Sequence, residues 1–311
     1  MKLYFAPLEG ITKFIYRNVH EKMFGGCDAY FAPFITPSDN EKIGLKAIRD
    51  IIPENNPDIK LKIQVQTGSA ASFMKFEKKI EPLKYGEVNI NLGCPSGTVV
   101  NKGRGAGMLK DPDALENFLD GVFQNSKLNI SIKTRSGYFS GEEMETLIRL
   151  YNKFPVTQVI LHPRCRNEFY NGTPDYTAFE TAYALSKNPL CYNGDICSVA
   201  DCQRIAKKFP DICGVMIGRG AVANPAIFRE IKGGVKLTTD ELQKFTVQLG
   251  EAYMSELQSE TFTLHKLKEV WMYMMWNYPE EKKILKQIKK ANKLSDLQNA
   301  ISCLPEIISE K

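Results

Sequence analysis

The sequence predicts an α/β fold: a TIM (β/α)8 barrel followed by a small all-helical domain. Three observations predict it. Eight short apolar or β-branched runs alternate with helical segments over the first 236 of 311 residues. Such alternation implies a parallel sheet, and eight units in this length suit a barrel, whose usual size is about 250 residues. Polar residues gather where the runs end: Gln64, Asn91, Cys94, Lys133, Arg135, His162, Asn193, Asp195 and Arg219. Barrel enzymes build their sites from the C-terminal ends of several strands, whereas a doubly wound open sheet, the competing architecture, concentrates them at one switch point. Beyond residue 236 the pattern turns helical, which sets the expected division at 1–236 and 237–311.

In chain order the runs are "KLYFAPL", "AYFAPFI", "LKIQVQTG", "EVNINLGC", "NISIKTRSG", "TQVILHPR", "PLCYNGDI" and "CGVMIGRG". Helices are predicted over Ala71–Leu83, Asp113–Asn125, Glu142–Asn152, Tyr176–Ser186 and Val199–Lys208. The first two intervals carry weaker helical signals. "LTTDELQKFTVQLGEAYMSEL" reads as an amphipathic helix with Thr238 or Thr239 as its N-cap. From there three to five helices are expected to Lys311, with a break at Pro279.

Bulk properties narrow the class. With 43% hydrophobic and 25% charged residues the chain has the composition of a folded globular protein, not a disordered one. The N-terminus lacks an apolar signal region, and no stretch approaches the roughly 18 to 20 apolar residues of a membrane span. A cytoplasmic monomer with no membrane partner is expected. The eight cysteines contain no C-x-x-C pair, which argues against a metal site, and reduced thiols are expected in that compartment. A net charge of +5 permits an anionic partner without demanding one.

The chemistry concentrates at the strand ends. The seventh and eighth units carry "NGDI" and "IGRGAVANP". Barrels commonly bind phosphate after strands seven and eight, where Gly194, Gly218 and Gly220 would let backbone approach and Arg219 would add a charged fork. With Lys133 and Gln64 in the same mouth, the group suggested is flavin mononucleotide: a cation stabilises reduced flavin and an amide pairs with its ring edge. His162 ends the sixth run. "NINLGCPSGTVVNKGRGAG" places Cys94 and Asn91 in a basic glycine loop; with no partner cysteine at ligand spacing a metal-ligand role is disfavoured, which leaves nucleophile or proton donor, and a flavin delivering hydride to a carbon–carbon double bond needs a proton donor such as a neutral thiol.

Together these residues resemble the tRNA-dihydrouridine synthase family over nearly the whole chain. The resemblance runs through "APLEGITKFIYR", "NINLGCPSGTVVNKGRGAGML", "IKTRSG", "LHPRCRNEFYNG", "YNGDI" and "IGRGAVANPAIF", with Asn-x-Gly-Cys-Pro its most specific part. It implies an enzyme that reduces the uridine C5–C6 double bond in tRNA with FMN, itself reduced by NADPH. Pro7, Leu8 and Glu9 match a first-strand FMN contact, with Leu8 standing where Met is common. Gln64, Lys133 and His162 match flavin contacts, although "QVQTGSAAS" departs from the usual Gln-x-x-Gly-Ser-Asp. Asn193, Gly194, Asp195, Gly218 and Arg219 match the phosphate end. Cys94 matches the proton donor to C5, and Asn91 would position the uracil.

The tRNA itself is expected to meet Lys102 and Arg104 on a mobile lid, Arg135, Arg164 and Arg166 at the barrel rim, and Lys282, Lys286, Lys289 and Lys293 on a helix 282–293. At roughly 100° per residue these last four share one face. That face carries no acidic residue, so it accepts like-charge repulsion. The competing function is an FMN barrel oxidoreductase acting on a free small molecule, of dihydroorotate or enoate type. Such an enzyme needs neither the helical domain nor its lysine face.

Overall fold

The structure is a computed structural model that describes residues 1–37 and 44–307. Its eight strands are β1 (Lys2–Phe5), β2 (Ala29–Phe31), β3 (Leu61–Val65), β4 (Glu87–Leu92), β5 (Asn129–Gly137), β6 (Val159–Cys165), β7 (Leu190–Tyr192) and β8 (Gly214–Ile217). Each pairs in parallel with the next, and β8 pairs with β1 to close the barrel. Predicted helices lie where expected, at Ala70–Ile80, Pro112–Asn125, Met144–Tyr151, Tyr176–Leu185 and Val199–Lys208. Four are capped by the side chains of Ser69, Asp111, Asp175 and Ser198, which satisfy backbone N–H groups the first turn leaves unpaired. The two weakly signalled intervals hold the helices Phe14–Met23 and Leu45–Ile51.

Because both barrel faces are covered, strand alternation separates two buried environments. Outward residues such as Ile63, Val88, Ile90 and Ile132 join one continuous apolar core. The barrel interior is divided. One side is closed by a small apolar layer of Ala6, Phe31, Ile160, Cys191 and Met216. On the other side β3, β4 and β5 place Gln64, Asn89, Asn91 and Ser131, all buried, against one another. Strand register sets this up: Gln64 pairs with Asn89, and Asn89 with Ser131.

Four helices follow the barrel: Thr239–Leu257, Glu260–Met274, Lys282–Lys290 and Leu294–Ile301. Thr238 is the N-cap of the first, in a capping box with Glu241. That helix packs on Phe14–Met23, and the second on Arg219–Ala223. The expected helix 282–293 is corrected. It ends at Lys290, because Ala291 leaves helical geometry at φ −55 and ψ 131. Lys282, Lys286 and Lys289 are exposed opposite buried Ile284 and Ile288, while Lys293 is the N-cap of the next helix. The end of the expected helical stretch, 308–311, lies outside the described residues.

His20 ties the first helix to the barrel. Its Nε2 donates to the Pro225 carbonyl (2.8 Å) and its Nδ1 lies 2.6 Å from the Tyr30 hydroxyl, which also bonds the Glu21 carboxylate (2.9 Å). The carbonyl can only accept, so the tautomer is fixed. Burial pushes His20 down to about 3. A histidine depressed in the folded state stabilises fully above its unfolded value of about 6.5 and loses that contribution as pH falls toward 3. Denaturant titrations should therefore show about 1.4 kcal/mol lost per unit of pH below 6.5 from this one group. His20→Asn should be less stable at neutral pH and show a shallower slope; an unchanged slope would remove His20 from this role.

Candidate active site

At the C-terminal end of the strands the barrel opens into a cavity of about 470 Å³. Pro7, Leu8, Glu9, Gln64, Asn91, Cys94, Lys133, Arg135, His162, Asn193, Gly194, Asp195, Gly218 and Arg219 all line it. These residues come from seven of the eight strand ends. The lining also includes Tyr170, Cys197, Tyr273 and Trp276, which sequence reasoning missed. The last two lie beyond the barrel, and no spacing in the chain signals that the helices fold back over the mouth.

Cys94 sits at the top of a buried amide ladder. The Asn89 amide donates to Ser131 Oγ (2.9 Å) and accepts from Gln64 Nε2 (2.7 Å). Gln64 Oε1 accepts from Asn91 Nδ2 (2.8 Å). Asn91 Oδ1 in turn accepts from the backbone N–H groups of Gly93 (3.1 Å) and Cys94 (2.9 Å). At the bottom Ser131 donates to Glu87 Oε1 (3.0 Å), and Glu87 is paired with Lys62. Asn91 thus holds the turn that carries the thiol and keeps one N–H for the cavity. Gln64 is likewise engaged at both ends of its amide, with one N–H left over.

The glycine loop behind Cys94 packs closely against its neighbours. Ala106 N–H donates to the Cys94 carbonyl (3.0 Å). A Cβ on Gly105, whose φ is +56, would lie 2.9 Å from that carbonyl oxygen, and one on Gly107 would lie 2.8 Å from the Val100 carbonyl oxygen. At these two positions the glycines allow close packing. Lys102 is exposed and Arg104 half-buried, and neither lines the cavity.

Two buried arginines shape the opposite rim. Arg164 is fully buried. It pairs with Asp195 and donates to the carbonyls of Asn171 and Gly172. Arg135, also buried, donates to the carbonyls of Gly93 (2.9 Å), Cys165 (2.9 Å) and Phe169 (2.7 Å). Guanidinium groups enclosed this way fix the loops whose carbonyls they bind. Arg166 is half-buried, its guanidinium over the rings of Tyr138 (5.8 Å) and Phe169 (5.5 Å).

Charge at the site is positive. Arg164 Nη1 approaches His162 Nε2 at 3.0 Å. Since a guanidinium only donates, Nε2 accepts and the ring proton sits on Nδ1. Burial, then Arg135, Lys133, Arg164 and Arg219, hold His162 well below its ordinary value, so the ring is neutral. Burial and the adjacent Arg135 push Lys133 down to about 8. Burial would raise Asp195, but its bonds to Arg164 and Arg219 outweigh that and hold the carboxyl below its usual range. Asp195 takes a left-handed backbone, φ +42, in doing so, a strain characteristic of functional loops.

The far end of the cavity suits a phosphate. Arg219 bonds Asp195 (2.6 Å) and lies 4.7 Å from the Tyr170 ring centre. Asn193 donates to the Met216 carbonyl (2.9 Å), joining the loop after β7 to strand β8. At Gly220 a Cβ would overlap the Ile196 carbonyl oxygen, so that glycine serves protein packing. A Cβ at Gly218 would make only ordinary contacts, at 3.4 Å or more, and leaves the wall open to a ligand. A cationic, glycine-lined end joined to an amide, lysine and neutral histidine end fits a flavin mononucleotide in chemistry. Among the described residues no cluster of His, Cys, Asp and Glu could hold a metal, and no helix is long and apolar enough to cross a membrane.

Comparison with known proteins places the chain in a family and a fold. The family model described as "Dihydrouridine synthase (Dus)" matches residues 4–309. The chain is similar to tRNA-dihydrouridine synthase B of Pseudomonas aeruginosa, 25% identical over 74% of this chain and 68% of that one. It is also similar to a "Probable tRNA-dihydrouridine synthase" of Helicobacter pylori, 28% identical over 74% and 70%. Among solved structures morphinone reductase superposes with a TM-score of 0.53 over 76% of this chain and 86% of that one; at 9% identity this shows a shared fold.

Lys133 gives the site a pH signature. A ligand that draws on its ammonium binds the protonated form, so affinity should be steady below about 8 and fall above it. Equilibrium binding of FMN to flavin-stripped protein should weaken by up to about tenfold per unit of pH above 8. Lys133→Met should bind more weakly and lose this dependence; a wild-type affinity flat from pH 7 to about 10 would separate Lys133 from the ligand.

Proposed function

The chain belongs to the dihydrouridine synthase family, and from that membership we propose that it reduces the C5–C6 double bond of uridines in tRNA to dihydrouridine. The observation that carries this reading is the placement of Cys94, held by Asn91 at a cavity also lined by Lys133, His162 and Arg219. When bound, FMN reduced by NADPH supplies the hydride for C6. The chain's own part is to complete the addition: the Cys94 thiol gives its proton to C5 as general acid. Asn91 keeps the thiol's turn in place, and its remaining N–H orients the uracil. Lys133 holds the electron-rich edge of the flavin ring, His162 offers Nδ1–H to the cavity, and Arg219 with the Gly194 and Gly218 backbones takes the phosphate. Pro7, Leu8 and Glu9 form the wall beside β1.

The alternative, a barrel oxidoreductase for a free small molecule, gives no reason for the lysine face carried by the segment 237–311. We assign that segment to tRNA. Lys282, Lys286 and Lys289 present an exposed, uniformly basic helical face, and among the described residues no carboxylate forms an ion pair with it. With Lys293 they are assigned to phosphates, and Lys102, Arg104 and Arg166 to the RNA nearer the mouth. Phosphate contacts of this kind give affinity without reading sequence.

Two experiments test the assignment. Cys94→Ala should keep its flavin spectrum and its oxidation of NADPH. Its rate of dihydrouridine formation on an unmodified tRNA transcript should fall by about 10² to 10⁴. A near-wild-type rate would remove Cys94 as the acid. Replacing Lys282, Lys286, Lys289 and Lys293 with Glu should weaken tRNA binding and flatten its salt dependence by about 0.7 to 0.9 in slope for each phosphate no longer neutralised. Unchanged affinity at low salt would make this face a solvated surface only.

A further inference from the structure

The helical segment does more than flank the barrel, because it supplies part of the active-site wall. The turn Met275–Asn277 follows the helix Glu260–Met274 and delivers Trp276 to the cavity beside Tyr273. The two rings pack with centroids 5.4 Å apart at 60°. Trp276 is 46% exposed, yet both of its neighbours are anchored. Met275 is buried, and the Asn277 amide donates to the Ala223 carbonyl (2.7 Å) on the helix that follows β8, and to the Met274 carbonyl (3.0 Å). The indole is therefore held at the mouth on a fixed turn. Tyr170, 54% exposed, lines the same cavity from the loop after β6.

A scattered exposed aromatic needs no explanation, but rings fixed around the mouth of one cationic cavity have the composition of a single-strand nucleic-acid platform. The reaction gives such a platform a task. A uridine that reaches Cys94 must leave the base stack, and its neighbour is then left without a stacking partner. We propose that Trp276, backed by Tyr273, stacks on the unpaired base next to the target uridine and takes the place of the departing uridine in the stack. Trp276 is thereby a specificity-determining residue that works on a neighbouring nucleotide rather than on the reacting one. This rests on the tRNA reading above.

The chain provides its own reporter. It has two tryptophans, and the other, Trp271, is fully buried with its Nε1 donating to Thr246 Oγ1 (3.1 Å). Acrylamide quenching of the holoenzyme therefore reads mainly Trp276. Unmodified tRNA transcript should protect it, and NADP+ alone should not. In steady-state assays Trp276→Ala should raise KM for tRNA about tenfold or more, the range for removing one base–aromatic stack, with a smaller change in kcat. Trp276→Phe should recover most of the loss. The proposal is overturned if wild-type protein binds and reduces tRNA while Trp276 stays equally quenchable, or if NADP+ rather than RNA protects it. A wild-type protein that neither binds tRNA nor forms dihydrouridine would overturn the parent reading, and this inference with it.

Discussion

The site depends on a column of paired amides inside one half of the barrel. Ser131, Asn89, Gln64 and Asn91 pass hydrogen bonds from β5 through β4 and β3 up to the turn of Cys94. Each of these groups is buried, so each broken link leaves a polar atom unpaired at a cost of about 1 to 3 kcal/mol. That penalty makes the column cooperative. It also makes it directional, since amide oxygens only accept and N–H groups only donate. Strand register aligns its members, and the Glu87–Lys62 pair closes its lower end. The thiol is positioned by the interior of the barrel, not by the flexibility of its own loop.

A second constraint works on the opposite rim. Arg135 and Arg164 enclose their charges by bonding to loop carbonyls, and Arg164 shares Asp195 with Arg219. Burial, together with the surplus of cations, keeps His162 neutral and lowers Lys133. An anionic cofactor relieves that surplus, so the cavity is electrostatically prepared for one. The same arginines pin the segment that carries Phe169 and Tyr170, both exposed, with Phe169 at a left-handed φ of +52. Interior charge and exposed aromatic rim are thus parts of one arrangement.

Much of this was legible in the chain. Short apolar runs alternating with helical segments revealed the barrel, because parallel strands buried on both faces leave that trace. Strand-end polar residues revealed the cavity, because the C-terminal end of a barrel collects them. Burial was not legible. "RSG" and "HPR" read as basic rim segments, and only the structure shows that Arg135 and Arg164 turn inward to carbonyls. Glycine-rich sequence around Gly105 does not show which backbone it approaches, and only three-dimensional packing places it against the Cys94 carbonyl. Asn89 and Ser131 look like ordinary strand residues until strand register brings them together. Trp276 gave no signal at all, since its distance in sequence from the barrel hides its place at the mouth. The helix through Lys290 was visible from its charge period, but its end at Ala291 was not.

The central claim is that Asn91 serves the chemistry through Cys94. It is tested most directly by a double-mutant cycle on the single-turnover rate of dihydrouridine formation in unmodified tRNA. Residues that act as one unit are strongly non-additive. Asn91→Ala should slow the wild-type protein markedly and add little to the loss already caused by Cys94→Ala. If the two losses multiply in the double variant, Asn91 acts independently of the thiol, and the account of the amide column as its support is contradicted.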